Sequence, residues 1–220
     1  MSGLSKGVMW ISKYREVVFW LLLLGSWQFL VSPGTKNAAL GVGGTAAFLL
    51  FAYNNLGRLR RLGLGYANWD LPKRIGWGFA LGVGLVAGIV IFGIGSASGQ
   101  SMMLGHDWRL ALLQVTLGPV LEEVVFRGYL YSLLTWAVGK ATGGPVLNWL
   151  VIATAAVAFA LVHFAQPGVN WLQLVCIAST GCLYGWIRYR SASTAPAALS
   201  HAAYNLMLYV TAGITGSATV

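Results

Sequence analysis

Acidic residues are scarce in this sequence. Its 220 residues include only five Asp and Glu, and charged side chains of either sign make up 9%, where soluble domains carry about a quarter. A chain so poor in charge cannot cover an ordinary soluble globule with hydrated groups. Cysteine is also rare, and Cys176 and Cys182 stand six apart in one apolar segment. On a helix they point to different faces, which excludes a disulfide framework and leaves them as packing residues. No repeat of fixed period and no low-complexity tract is present. The apolar run Phe19 to Leu24 follows Lys6, Lys13 and Arg15, but no small-x-small cleavage site comes after it. It therefore reads as an uncleaved anchor and not as a signal peptide.

Apolar residues are what the chain has in quantity, at 57%, with ten tryptophans and nine tyrosines of the kind that collect at the two water interfaces of a bilayer. A span needs about 17 to 25 residues, and seven segments approach that length: Val17 to Ser32, Asn37 to Tyr53, Gly76 to Gly95, Trp108 to Val138, Val146 to Ala165, Val169 to Ile187 and Ala195 to Gly213. The fourth is too long for one untilted span, and Gly118-Pro119 predicts a break in it. In the third, Gly78-xxx-Gly82 and Gly84-xxx-Gly88 predict a close helix contact. The expected fold is all-α, a polytopic transmembrane bundle of about seven spans. Residues 1–107 hold the first helices and a basic cytoplasmic loop, and residues 108–220 hold the chemistry.

The formal charge of +9 raises nucleic acid as a partner, but the basic residues sit in short loops and form no stripe interleaved with aromatics. Retention of cations on one side of a membrane accounts for them. Arg58, Arg60, Arg61, Lys73 and Arg74 fall between the second and third segments, Lys140 after the fourth, and Arg188 and Arg190 after the sixth. This alternation predicts a cytoplasmic N-terminus and an external C-terminus.

Two of the five carboxylates, Glu122 and Glu123, are adjacent within the fourth segment. An acidic group at mid-membrane costs about 2.5 to 3.5 kcal/mol on insertion scales, so such groups face a protein interior or a watery cavity and mark function. Arg127, four residues after Glu123, shares its helix face and is expected to pair with it. Glu122 is turned roughly 100° away and is left to act as a base. His163 lies near the outer end of the fifth segment. His201 and Asn205 share one face near the inner end of the seventh. A base beside a water, with imidazole and amide donors aimed at an oxyanion, suits acyl transfer. Phe126 and Phe159 are the aromatics placed to meet a substrate, although packing explains them, and Tyr129 beside them, better. His106 is given no role.

Glu122-Glu123 with Arg127 resembles an E-E-x-x-x-R motif, Phe159 to His163 an F-x-x-x-H motif, and His201 to Asn205 an H-x-x-x-N motif. All three, in this order, are those of the CAAX protease and bacteriocin-processing family, also called the Abi family, which includes the type II CAAX prenyl endopeptidases. The resemblance covers the chain from Trp108 onward. It implies a glutamate-type intramembrane endopeptidase of a bacterial inner membrane, acting on a membrane-anchored, prenylated or other peptide substrate, with a lateral opening between helices. By this analogy Glu122 and His163 activate the water, His201 and Asn205 stabilise the oxyanion, and Glu123 with Arg127 holds the site together. No cofactor is required. The alternative is a zinc enzyme with the metal on Glu122, His163 and His201, ranked second because no His-Glu-x-x-His spacing occurs. A non-enzymatic bacteriocin immunity protein and a proton-coupled carrier are the readings from other classes.

Overall fold

The computed structural model describes residues 69, 71–99, 108–139, 145–164 and 169–215, and every element among them is helical. The expected segments 17–32 and 37–53 lie outside the described residues. In chain order the helices are α1 (Trp77–Ala97), α2 (Trp108–Val115), α3 (Leu117–Glu123), a π-helical segment (Val124–Leu130), α4 (Tyr131–Gly139), α5 (Pro145–His163), α6 (Trp171–Ser191) and α7 (Ala195–Thr215).

Only α1 and α5 among the described helices are long and apolar enough to cross a bilayer, so the described residues do not reproduce a count of seven. The reason differs by helix. The fourth segment is cut into short pieces, and α6 carries Arg188 and Arg190 in its last turn. Both α1 and α5 leave large apolar side chains on the outside, among them Val86, Ile89 and Val90 on α1 and Trp149, Leu150 and Leu161 on α5. A helix that is apolar on its outer face as well suits a lipid solvent.

The break in the fourth segment falls at Thr116 (φ −112°, ψ −77°), just upstream of Gly118-Pro119. Pro119 therefore sits in the first turn of α3, where its missing N–H has no intrahelical partner to lose. After Glu123 the backbone widens into seven residues of π-helix, closed by the Tyr131 N–H on the Phe126 carbonyl. Such segments are rare and concentrate at functional sites, and nothing in the residue pattern predicts this one.

Two glycine pairs set the helix spacing. α7 packs most extensively on α1, and a Cβ on Gly84 would lie 2.1 Å from the Ser200 carbonyl oxygen while one on Gly88 would lie 2.6 Å from Met207 Cβ. The expected close contact thus forms at Gly84 and Gly88, whereas Gly78 and Gly82 face open space. The second pair, Gly181 and Gly185, seats α6 on Ala156 and Ile152 of α5.

The sixth segment is longer than the sequence suggests. Helix α6 begins in a capping box between Asn170 and Gln173 and runs to Ser191, which places Arg188 inside a helix and not in a loop. Arg188 is buried, its Nε donates to the Arg127 carbonyl at 3.1 Å, and its guanidinium lies 5.2 Å from the Tyr131 ring centre. It is a packing residue of the core, so its use as a topological charge is corrected. The turn into α7 passes through Ala192 in the left-handed region (φ 54°). The Ser191 hydroxyl donates to the Ser193 carbonyl and accepts from the Ser193 N–H, the Ser193 hydroxyl accepts from the Ala195 N–H, and the Lys73 N–H reaches the Ser191 carbonyl at 3.1 Å.

Candidate active site

The last turn of α3 carries Glu122 and Glu123 into the core, where Glu122 is 9% exposed and Glu123 and Arg127 are fully buried. Glu123 Oε1 accepts from Arg127 Nη1 at 3.0 Å and from His201 Nδ1 at 3.0 Å. The guanidinium is held from two further sides. Nη2 donates to the Gly181 carbonyl at 2.7 Å, and the Phe159 ring lies 4.5 Å beneath Cζ. A Cβ on residue 181 would stand 3.1 Å from Nη2, so glycine there keeps the carbonyl within reach. Glu123 Oε2 and Arg127 Nε are buried with no partner among the described residues, and the ion pair therefore rests on Oε1 alone.

His201 sits between aromatic rings. It stacks on Tyr184 with centroids 4.8 Å apart and planes 17° from parallel, and it meets Phe159 edge-on at 5.7 Å. An ionised carboxylate can only accept, so the contact with Glu123 puts the proton on Nδ1. Nε2 is turned toward Glu122, whose Oε2 lies 3.7 Å away. That is too long for a direct hydrogen bond.

His163, the last residue of α5, places Nδ1 2.8 Å from the Phe159 carbonyl, which by the same reasoning puts the proton on Nδ1; among the described residues no hydrogen bond engages Nε2. Its ring lies 4.8 Å from the Phe159 ring. Although His163 ends its helix and His201 belongs to the second turn of its own, both imidazoles rest against this one phenylalanine. Among the described residues no hydrogen bond joins His163 to Glu122, and the imidazole nearest Glu122 is that of His201. Asn205, one turn beyond His201, donates Nδ2 to the Gln114 carbonyl at 2.7 Å.

Phe126 and Phe159 pack edge to face at 5.2 Å, and both are buried. Both form part of one buried core cluster. Among the described residues no three His, Cys, Asp or Glu side chains converge to hold a metal ion, so Glu122, His163 and His201 do not fit a zinc ligand set in this arrangement.

Several contributors to the site were not singled out from the sequence. The Gly181 carbonyl acts through backbone and carries no motif, although Gly181-xxx-Gly185 has the same small-residue spacing that marked Gly84 and Gly88. Tyr184 precedes Gly185 in the same stretch and gave no separate signal. Gln114 and Tyr209, whose hydroxyl donates to Gln114 Oε1, are 95 positions apart and belong to no pattern.

Residues 104–207 match the family model of the type II CAAX prenyl endopeptidase Rce1-like proteins, an interval that holds Glu122, Glu123, Arg127, His163, His201 and Asn205. No curated protein and no solved structure matches the chain.

Proposed function

We propose, from the match of residues 104–207 to the Rce1-like CAAX prenyl endopeptidase family model, that this integral membrane protein cleaves a peptide bond with a water activated by Glu122. One observation carries the reading. The 3.7 Å between Glu122 Oε2 and His201 Nε2 is a spacing that a single water bonded to both atoms can bridge.

In this mechanism the water gives a proton to Glu122 as its oxygen attacks the carbonyl carbon, and Glu122 later passes that proton to the departing amine nitrogen as the C–N bond breaks. His201, its tautomer fixed by Glu123, orients the water through Nε2. The free amide proton of Asn205 meets the oxyanion. His163, whose Nε2 has no hydrogen bond among the described residues, supplies the second imidazole of the site. Glu123 and Arg127 hold His201 in register and touch no reacting atom. Among the described residues no third His, Cys, Asp or Glu side chain joins Glu122 and His201 as a zinc ligand.

The substrate class follows from the family and the solvent: a peptide anchored in the bilayer or carrying a lipid, with a prenylated C-terminal CAAX sequence as the first to try. An apolar groove of about 590 Å³ between α1 and α6, lined by Phe79, Val83, Val90 and Leu183 among others, supports a hydrocarbon-bearing substrate.

The test uses purified protein in liposomes with fluorogenic peptides, with and without a farnesyl group. Glu122→Gln is expected to lower turnover by about 10²- to 10⁴-fold, and a chelator is expected to leave the wild type unchanged. Loss of activity with chelator would promote the zinc reading. No cleavage of any peptide, with a biological phenotype that survives Glu122→Gln, would favour the immunity role.

A further inference from the structure

The break between α2 and α3 exposes the last carbonyls of α2, which have no intrahelical N–H to accept from. Gln114 lies in that last turn. Its carbonyl takes Asn205 Nδ2 at 2.7 Å, and its side-chain Oε1 takes the Tyr209 hydroxyl. Asn205 and Tyr209 are four residues apart on one face of α7, so this face grips a single residue of α2 twice, once by backbone and once by side chain.

A carboxamide nitrogen has two protons and its oxygen has none. Because the Gln114 carbonyl can only accept, it decides which end of the Asn205 amide is nitrogen and holds one of the two N–H groups. The other remains available, one helical turn from His201. The Tyr209 contact gives the end of α2 a second polar tie to α7 beside the group it orients.

We infer that Gln114 and Tyr209 are positioning residues that set the Asn205 amide for the reaction. This rests on the proposal that Asn205 donates to the oxyanion. The latch explains why a half-buried Gln and a half-buried Tyr, neither part of the three motifs, occupy these positions in an apolar chain, where each polar group must find a partner.

Full-length protein in liposomes would be assayed with the farnesylated peptide, comparing Tyr209→Phe, Gln114→Leu and Gln114→Glu, each alone and combined with Asn205→Ala. In parallel, exchange of the Asn205 side-chain amide would be followed in ¹⁵N-labelled protein. Tyr209→Phe and Gln114→Leu are expected to lower kcat by about tenfold to a hundredfold with KM unchanged, the scale of a misplaced reacting group. They should speed amide exchange by about tenfold. Gln114→Glu retains the acceptor and should rescue both. In the Asn205→Ala background neither substitution should lower kcat further. An amide signal unmoved by Tyr209→Phe, or losses that multiply with that of Asn205→Ala, would overturn the latch. If the amide responds as expected while Asn205→Ala cleaves like the wild type, the latch stands as a contact and the oxyanion role of Asn205 is what fails.

Discussion

Glu122 and Glu123 carry the same functional group on consecutive residues, and their surroundings differ in almost every respect. Glu123 is sealed from solvent, with Arg127 and His201 both on Oε1, and the arginine is in turn fixed by the Gly181 carbonyl and the Phe159 ring. Glu122 keeps a small exposure, and among the described residues its nearest basic nitrogen is His201 Nε2 at 3.7 Å. A helix turns roughly 100° per residue, and that rotation is enough to put one carboxylate in a network and the other at its edge. In the proposed mechanism the first holds an imidazole in one tautomer, and the second takes the proton. Division of labour between paired carboxylates thus comes from which face of α3 each occupies.

The comparison can be broken most severely on the engaged side. Arg127→Met leaves Glu123 as an uncompensated buried charge and is expected to cost about 3–5 kcal/mol, seen as a large drop in the thermal midpoint of the detergent-solubilised protein. Gly84→Ala comes next, because its Cβ would meet backbone at 2.1 Å and push α7, with His201 on it, away from α1; a loss of about 1–3 kcal/mol is expected in the same assay. Gly181→Ala should be milder in stability, since its nearest contacts are 3.1 Å, yet it should lower turnover by crowding Arg127. Gly82→Ala, with nothing within 4 Å, should stay within about 0.5 kcal/mol of the wild type and so serves as the control for the series.

The sequence made the site legible where burial of charge is expensive. Two carboxylates in an apolar run, an arginine one turn on, and histidines in two other segments could be picked out because lipid gives such groups no cheap alternative to a partner. The Glu123–Arg127 pair needed only helical spacing. Which imidazole would face Glu122 was not legible, since it depends on how α5 and α7 cross, and their sequence separation says nothing about that. The π-helical widening, the Gly181 carbonyl and the Gln114 latch are backbone effects or long-range contacts without a residue pattern of their own. Arg188 was misassigned for a related reason: an arginine at a segment end looks like a loop charge until its partner, a carbonyl 61 positions away, is known.

The most direct test of this division of labour is to measure turnover and thermal stability together for Glu122→Gln and Glu123→Gln. Turnover should collapse in Glu122→Gln while its thermal midpoint stays at the wild-type value. Glu123→Gln should lose stability as well as activity, because Arg127 and His201 lose their shared acceptor. Wild-type cleavage by Glu122→Gln, or a Glu123→Gln protein as stable as the parent, would contradict the account.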